Sequence, residues 1–164
     1  MAGKISAGLM MYRWRNGVLE VLLGHPGGPL YANKDRGYWG IPKGRVELNE
    51  TFLAAAFREF QEETGLFPQE GELLPLGKVI ERTGKNIYAW AFCDDCDTSL
   101  PLKSNLFEIE WPRNSGNICL YPEMDKISFF NTDVARSKIE IAQTGFIDCL
   151  EKQLGVSYPQ RQSL

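Results

Sequence analysis

Residues 44–66, GRVELNETFLAAAFREFQEETGL, constrain this chain more than any other stretch of it. Residues three and four apart on a helix are neighbours, so Glu59, Glu62 and Glu63 project from one turn as a cluster of carboxylates. Leu53, Ala56, Phe57 and Phe60 recur at i, i+3, i+4 and i+7, the stripe of a helix packed on a core. The carboxylates are therefore expected to face outward from a rigid support. Asn49, with Thr51 as a second candidate, reads as the N-cap, and Gly65 as the left-handed residue past the last turn, giving a helix from about Glu50 to Thr64. Three clustered carboxylates either hold a hard cation or raise one another's pKa. Oxygen-only ligands of this kind suit magnesium or manganese.

An acidic run of this sort is, in most proteins, only the solvated face of an amphipathic helix. The spacing decides otherwise. Gly44, Glu50, Arg58, Glu59, Phe60, Glu62, Glu63, Gly65 and Leu66 reproduce, at nine positions in 23 residues, the box of the Nudix hydrolases, which the chain resembles. Phe60 stands where that family usually carries an aliphatic residue and fills the same apolar position. The approach Trp39-Gly-Ile-Pro-Lys43-Gly-Arg-Val-Glu47 resembles that of the diadenosine tetraphosphate hydrolases. Arg82, Thr83 and Gly84 stand where that subfamily tends to carry a tyrosine.

The resemblance implies an α+β fold of the Nudix type, an α/β/α sandwich with a mixed sheet between helices. It implies a magnesium-dependent hydrolase, with manganese as the other candidate ion, that cleaves a diphosphate linkage in a nucleoside diphosphate derivative. Glu59, Glu62 and Glu63, with Arg58, would be the catalytic residues: the three glutamates as metal ligands, directly or through water, one of them a candidate general base, with the Lys43 carbonyl adding another ligand and Arg58 and Glu50 supporting them. Glu123, in a loop before a late strand, is a further metal or base carboxylate. Lys43, Arg45 and His25 are the substrate-binding candidates, His25 being more ordinary as a turn or surface residue. The expected partner is a nucleotide or a dinucleoside polyphosphate. A nucleotide-sanitising enzyme, an RNA 5′-end pyrophosphohydrolase and a non-catalytic binding module are the alternatives; an isoprenoid diphosphate isomerase is disfavoured by the complete box.

Composition narrows the setting. A chain of 164 residues suits one domain, 1–164. Its net charge of −3 argues against a stable nucleic-acid complex or a membrane-surface role and leaves a homodimer open. Binding a polyanion then needs a metal or local basic groups, for which Lys34, Lys43, Arg45 and Lys85 are available. No secretory or membrane-spanning apolar run is present, so the expectation is a cytoplasmic protein. Cys93 and Cys96 form one CxxC without a second, and free thiols are the expected state.

Elsewhere the pattern is mostly strands. Ile5–Trp14 and Val18–Gly24 read as a hairpin about Asn16-Gly17, broken by His25-Pro-Gly-Gly-Pro29. Residues 31–38 read as a polar loop, and 39–44 as a short strand and turn. Leu76–Arg82 with Asn86–Cys93 read as a second pair, and Phe107–Trp111 and Ile127–Phe130 as shorter strands. Thr132 is expected to cap a helix over Asp133–Ile139. Phe146, Ile147, Leu150 and Leu154 mark a last helix ending at Gly155.

Overall fold

The computed structural model describes residues 4–69 and 71–156. A six-stranded mixed sheet forms the middle layer. Its strands are β1 (Ile5–Arg15), β2 (Val18–Pro26), β3 (Lys43–Arg45), β4 (Leu73–Ile80), β5 (Asn86–Cys93) and β8 (Met124–Asn131), in the order β4-β5-β1-β2-β8 with β3 pairing β1. β1 runs parallel to β5 and antiparallel to β2 and β3. β6 (Leu106–Glu110) and β7 (Ile118–Pro122) make a separate two-stranded sheet.

β1 is a near-continuous apolar run because both of its faces are covered. Successive side chains alternate sides. Met10 and Tyr12 join one core with Val21, Ile87, Phe146 and Leu150, while Ala7, Leu9 and Met11 join the other with Ala55, Ala56 and Phe60. The first core lies under α2 (Thr132–Lys138) and α3 (Thr144–Leu154), the second under α1 (Phe52–Thr64). This is the mixed sheet flanked by helices that the resemblance implied. No helix among the described residues is long and apolar enough to cross a membrane.

The hairpin turn forms as expected, with Asn16 at φ 51° and Gly17 at φ 76°, the double left-handed turn that matches strand twist. Several boundaries differ for identifiable reasons. The helix cap is Thr51, whose Oγ1 accepts from the Ala54 amide at 3.1 Å, whereas Asn49 takes a left-handed turn position at φ 63°. Ala55 is buried on α1 while Leu53 and Phe57 are half-buried, so the helix sits on β1 through small side chains. β2 does not break at His25: pairing with β8 carries it through to Pro26, across a register shift between the two residues. The same pairing starts β8 at Met124 rather than Ile127. β4 begins at Leu73 and ends at Ile80, which leaves Arg82 in the turn. β7 was not expected at all. Asn131, not Thr132, caps α2, its Oδ1 accepting from the Val134 amide at 2.9 Å.

Candidate active site

The turn before α1 is built around a close approach. A Cβ added at Gly44 would collide with the Glu59 carboxylate, so glycine at this point leaves that carboxylate its place against β3. Beneath the turn, the Lys43 amide donates to Glu63 Oε2 at 3.1 Å. The helix is thereby stitched to β3, and β3 to β1 through the pairs Gly8↔Lys43 and Ala7↔Gly44.

Arg58 is the hub of the other side. Its Nε and Nη2 donate to the two oxygens of Glu50 at 2.7 and 2.9 Å, a bidentate pair. Nη1 donates to Glu59 at 2.7 Å and Glu62 at 3.2 Å, and Nη2 also reaches the Arg45 carbonyl at 2.9 Å. The guanidinium contact, with help from the Glu47 amide, holds the Glu50 carboxyl down at about 2. The same bonds push the Arg58 pKa upward against the cost of its burial. Arg58 thus ties residues 45–50 to the helix and sets the rotamers of two glutamates. It positions them rather than standing in the cleft.

Glu59 and Glu63 do not simply face outward, as the helix pattern suggested. Burial pushes the Glu63 carboxyl up to about 8; Lys43 opposes this, and the charges of Glu59 and Glu123 reinforce it. Burial likewise raises Glu59, with Arg58 pulling the other way and Glu62 and Glu123 adding repulsion. Glu62 is the most open of the cluster. Glu123, the single residue between β7 and β8, is fixed through its backbone: its amide donates to the Asn105 carbonyl at 2.7 Å, and its carbonyl accepts from the Gly27 amide at 2.9 Å.

Lys43, Glu63 and Glu123 line one cleft of about 420 Å³, in the size range of a small-ligand site, together with Tyr31, Tyr38 and Glu140. The Lys43 ammonium lies 3.7 Å from Glu81 Oε1. Lys85, at the far end of the Glu81 turn, has its pKa lowered by burial and by the Lys43 charge. Arg45 is exposed on β3 and is not among the cleft-lining residues; its carbonyl, not its guanidinium, serves the site.

His25 belongs to the frame. It is 1% exposed, with Nδ1 paired with Asp125 Oδ1 at 2.8 Å and Nε2 donating to the Lys34 carbonyl at 2.6 Å. Its ring packs edge-on against Trp39 at 5.2 Å. The expectation of a turn or surface histidine is thus corrected, and with both nitrogens committed no donor is left over for a ligand. Glu81, Glu140 and Gln143 border the site without any motif to announce them. Gln143 is buried, accepting from the Ile41 amide at 3.0 Å and donating to Glu140 at 3.2 Å. Its only sequence signal is a polar residue ahead of an apolar helix face.

The donor chemistry fits a hard divalent cation. Half-buried, mutually repelling carboxylates are costly without one, and every side-chain donor is oxygen. Among the described residues no three acidic, histidine or cysteine side chains converge into a ready cluster. Arg58 draws Glu59 and Glu62 to itself, and the Lys43 amide holds Glu63.

The NUDIX domain model matches residues 5–113. A curated relative in African swine fever virus, named mRNA-decapping protein g5R, is 50% identical over 40 residues, 24% of this chain and 16% of that protein. An RNA pyrophosphohydrolase of Cellvibrio japonicus is 36% identical over 63 residues, 37% of each chain. The matched stretches thus span well under half the length of these relatives. Among solved structures, a C. elegans Ap4A hydrolase binary complex has a TM-score of 0.61 at 21% identity, covering 93% of this chain and 98% of that one. The NUDIX domain of Shewanella oneidensis NrtR complexed with ADP ribose has a TM-score of 0.65 at 14% identity, covering 94% and 90%. These two likenesses establish the fold.

Proposed function

Since this chain belongs to the NUDIX domain family, we propose that it is a divalent-metal-dependent pyrophosphohydrolase acting on a nucleoside diphosphate derivative, a dinucleoside polyphosphate such as diadenosine tetraphosphate being the leading substrate. The observation that carries this reading is the cleft itself, where half-buried Glu63, its carboxyl pushed up to about 8 by burial and by the charges of Glu59 and Glu123, lies with Glu123 beside Lys43. A merely solvated acidic helix face has no reason to bury a carboxylate beside two others.

Glu59, Glu62 and Glu63 would hold the ion, with Glu123 and the Lys43 carbonyl as further oxygen donors. Bound magnesium or manganese supplies charge neutralisation along the phosphate chain and acidifies a water. The chain's own groups do the rest. Arg58 fixes the orientation of Glu59 and Glu62. The Lys43 ammonium exchanges its long contact with Glu81 for a phosphate oxygen. Glu63 would serve as a ligand in its deprotonated form. Glu123, arriving from outside the helix on a junction pinned at both peptide groups, is the carboxylate best suited to accept a proton from the attacking water. The cysteines, all free, suit a reducing cytoplasmic setting.

A second reading, the same reaction at an RNA 5′ end, is favoured by the names of the two curated relatives. A non-catalytic module has no need for the intact set of Glu59, Glu62 and Glu63. The test is a hydrolysis panel of diadenosine tetraphosphate, ADP-ribose, nucleotide sugars, oxidised nucleotides and 5′-triphosphorylated or capped RNA, with products identified by chromatography. Asymmetric cleavage of diadenosine tetraphosphate to ATP and AMP is expected. Two ADP products, or a clear preference for another substrate, reject the dinucleotide assignment; silence across the panel with magnesium and manganese rejects the reaction class.

A further inference from the structure

The cleft that holds Lys43, Glu63 and Glu123 is also lined by two aromatic rings that packing does not explain. Tyr31 is 39% exposed and Tyr38 43%. Their ring centroids are 6.1 Å apart and the planes are tilted by 53°, so together they form an open corner rather than a closed stack. Other aromatics of the chain are used elsewhere: Trp39 is buried, Tyr88 packs on Phe52 at 4.7 Å, and Trp90 lies against the core under α1.

The segment carrying the two tyrosines has almost no regular structure, yet it is fastened from several directions. The Gly37 and Trp39 amides both donate to the Lys138 carbonyl, at 2.9 and 3.1 Å. Asp35 accepts from the Trp39 indole at 2.8 Å and from the Lys138 ammonium at 2.6 Å, and buried His25 donates to the Lys34 carbonyl at 2.6 Å. Within the loop, Lys34 and Tyr38 donate their amides to the Tyr31 and Asp35 carbonyls at 2.9 and 3.1 Å. A surface loop held this firmly presents its rings in one arrangement, which lowers the cost of ordering them around a ligand.

The charges of the loop point the same way. Asp35 is taken by Lys138 and Asp125 by His25. Lys34, whose ammonium stands 5.8 Å from the centre of the Tyr38 ring, and Arg36 make no ion pair among the described residues. The loop thus carries two cations outside any ion pair beside two flat apolar faces, next to a cleft whose other charged lining is Lys43, Glu63, Glu123 and Glu140. Aromatic faces for bases combined with cations for phosphates are what a nucleotide needs.

We propose that Tyr31 and Tyr38 form a nucleobase-stacking platform for the substrate, with Lys34 and Arg36 meeting the phosphates at the loop edge. A base stacks on one ring and meets the other at its edge. This deepens the hydrolase reading, on which it rests for the bond cleaved but not for the binding itself. The ligand chemistry is a nucleoside 5′-polyphosphate, either a free dinucleotide or the 5′ end of an RNA.

The test is equilibrium binding by calorimetry with ADP and, in parallel, base-free inorganic tripolyphosphate, on the wild type and on Tyr31→Ala, Tyr38→Ala and Tyr38→Phe. Loss of one stacking ring is expected to weaken ADP binding about tenfold. Tripolyphosphate binding should stay within about twofold, and Tyr38→Phe should restore ADP binding because the ring, not the hydroxyl, carries the contact. Melting temperatures confirm that each variant is folded. Diadenosine tetraphosphate and a short 5′-triphosphorylated RNA form two further arms, and a Tyr38-dependent loss in one of them identifies the source of the nucleotide. Unchanged ADP binding in both alanine variants, an equal loss with tripolyphosphate, or a wild type that binds none of these probes overturns the platform. If ADP binding depends on Tyr38 while the full substrate panel goes uncleaved, the platform stands and the hydrolase reading falls.

Discussion

The two walls of the cleft are built by opposite means. Residues 44–66 make a turn and a helix whose partners are close in sequence: Arg58 reaches Glu50, Glu59, Glu62 and Arg45, and Thr51 caps its own first turn. Residues 28–39 have almost no regular structure, and partners about 100 positions away hold them, Asp125 through His25 and Lys138 through Asp35. One wall is specified locally and the other by tertiary contact. This contrast teaches why a spacing motif can announce chemistry while leaving specificity hidden, because the groups that recognise the rest of a substrate sit on the wall without a local signature.

The sharpest way to break the comparison is to undermine the helix support. Phe60 is fully buried and meets Phe92 edge to face at 5.3 Å, so Phe60→Ala should cost roughly 3–5 kcal/mol through the cavity left behind. Urea denaturation measures this directly. A loss below about 1 kcal/mol would mean that α1 is not anchored where the account needs it to be.

Next in size is the chemistry on the opposite face of the same helix. Glu62→Gln preserves volume and helix propensity while removing an oxygen charge, so the melting temperature should hold and turnover should fall on the order of 10²-fold or more. Wild-type rates in saturating magnesium would reduce the acidic cluster to a solvated surface.

The tertiary wall should respond differently. His25→Ala removes a fully buried imidazole with its hydrogen bonds to the Lys34 carbonyl and Asp125, a loss of about 1–3 kcal/mol for two such bonds. Hydrogen exchange should speed up in residues 28–39 while α1 keeps its protection. Uniform loosening of both walls would show that they are not independent.

The gentlest effect at any one pH step is electrostatic. Glu63 titrates near 4.5 when unfolded and at about 8 in the folded, metal-free protein, so the folded state binds its proton more tightly. Metal-free stability should therefore be highest below pH 4.5 as far as this group is concerned, and fall through the window up to about 8 at no more than roughly 1.4 kcal/mol per pH unit. Glu63→Gln should flatten that slope. The reverse holds for cation affinity, which should rise with pH over the same window as the competing proton is lost.

What the sequence disclosed follows this division. The box, the Asn16-Gly17 turn and the left-handed Gly65 and Gly155 after their helices are short-range signals and were legible. The alternating cores of β1 were legible as a strand but not as two separate layers. β7 has no such signal: it is short, follows Gly116, ends in Pro122, and among the described residues pairs only with β6. The true nature of His25 was hidden because Pro26 and Gly27 beside it mimic a loop, while the bonds that bury it come from Asp125 and Lys34. Glu81, Glu140 and Gln143 lie far along the chain from the box and reach the cleft only through tertiary contacts, Glu140 with Trp39 and Gln143 with Ile41. Arg45 illustrates the converse: a basic residue next to the box whose side chain is exposed while its carbonyl is used.

The central claim, that the acidic face of α1 is a divalent-cation site serving hydrolysis, is tested most directly by titrating manganese into the wild type and into Glu63→Gln at pH 8.5, by calorimetry. The wild type should bind the ion, and the folded variant, checked by its melting temperature, should bind at least tenfold more weakly and lose turnover in step. Equal affinity in the two proteins, or no binding by the wild type, would contradict the account.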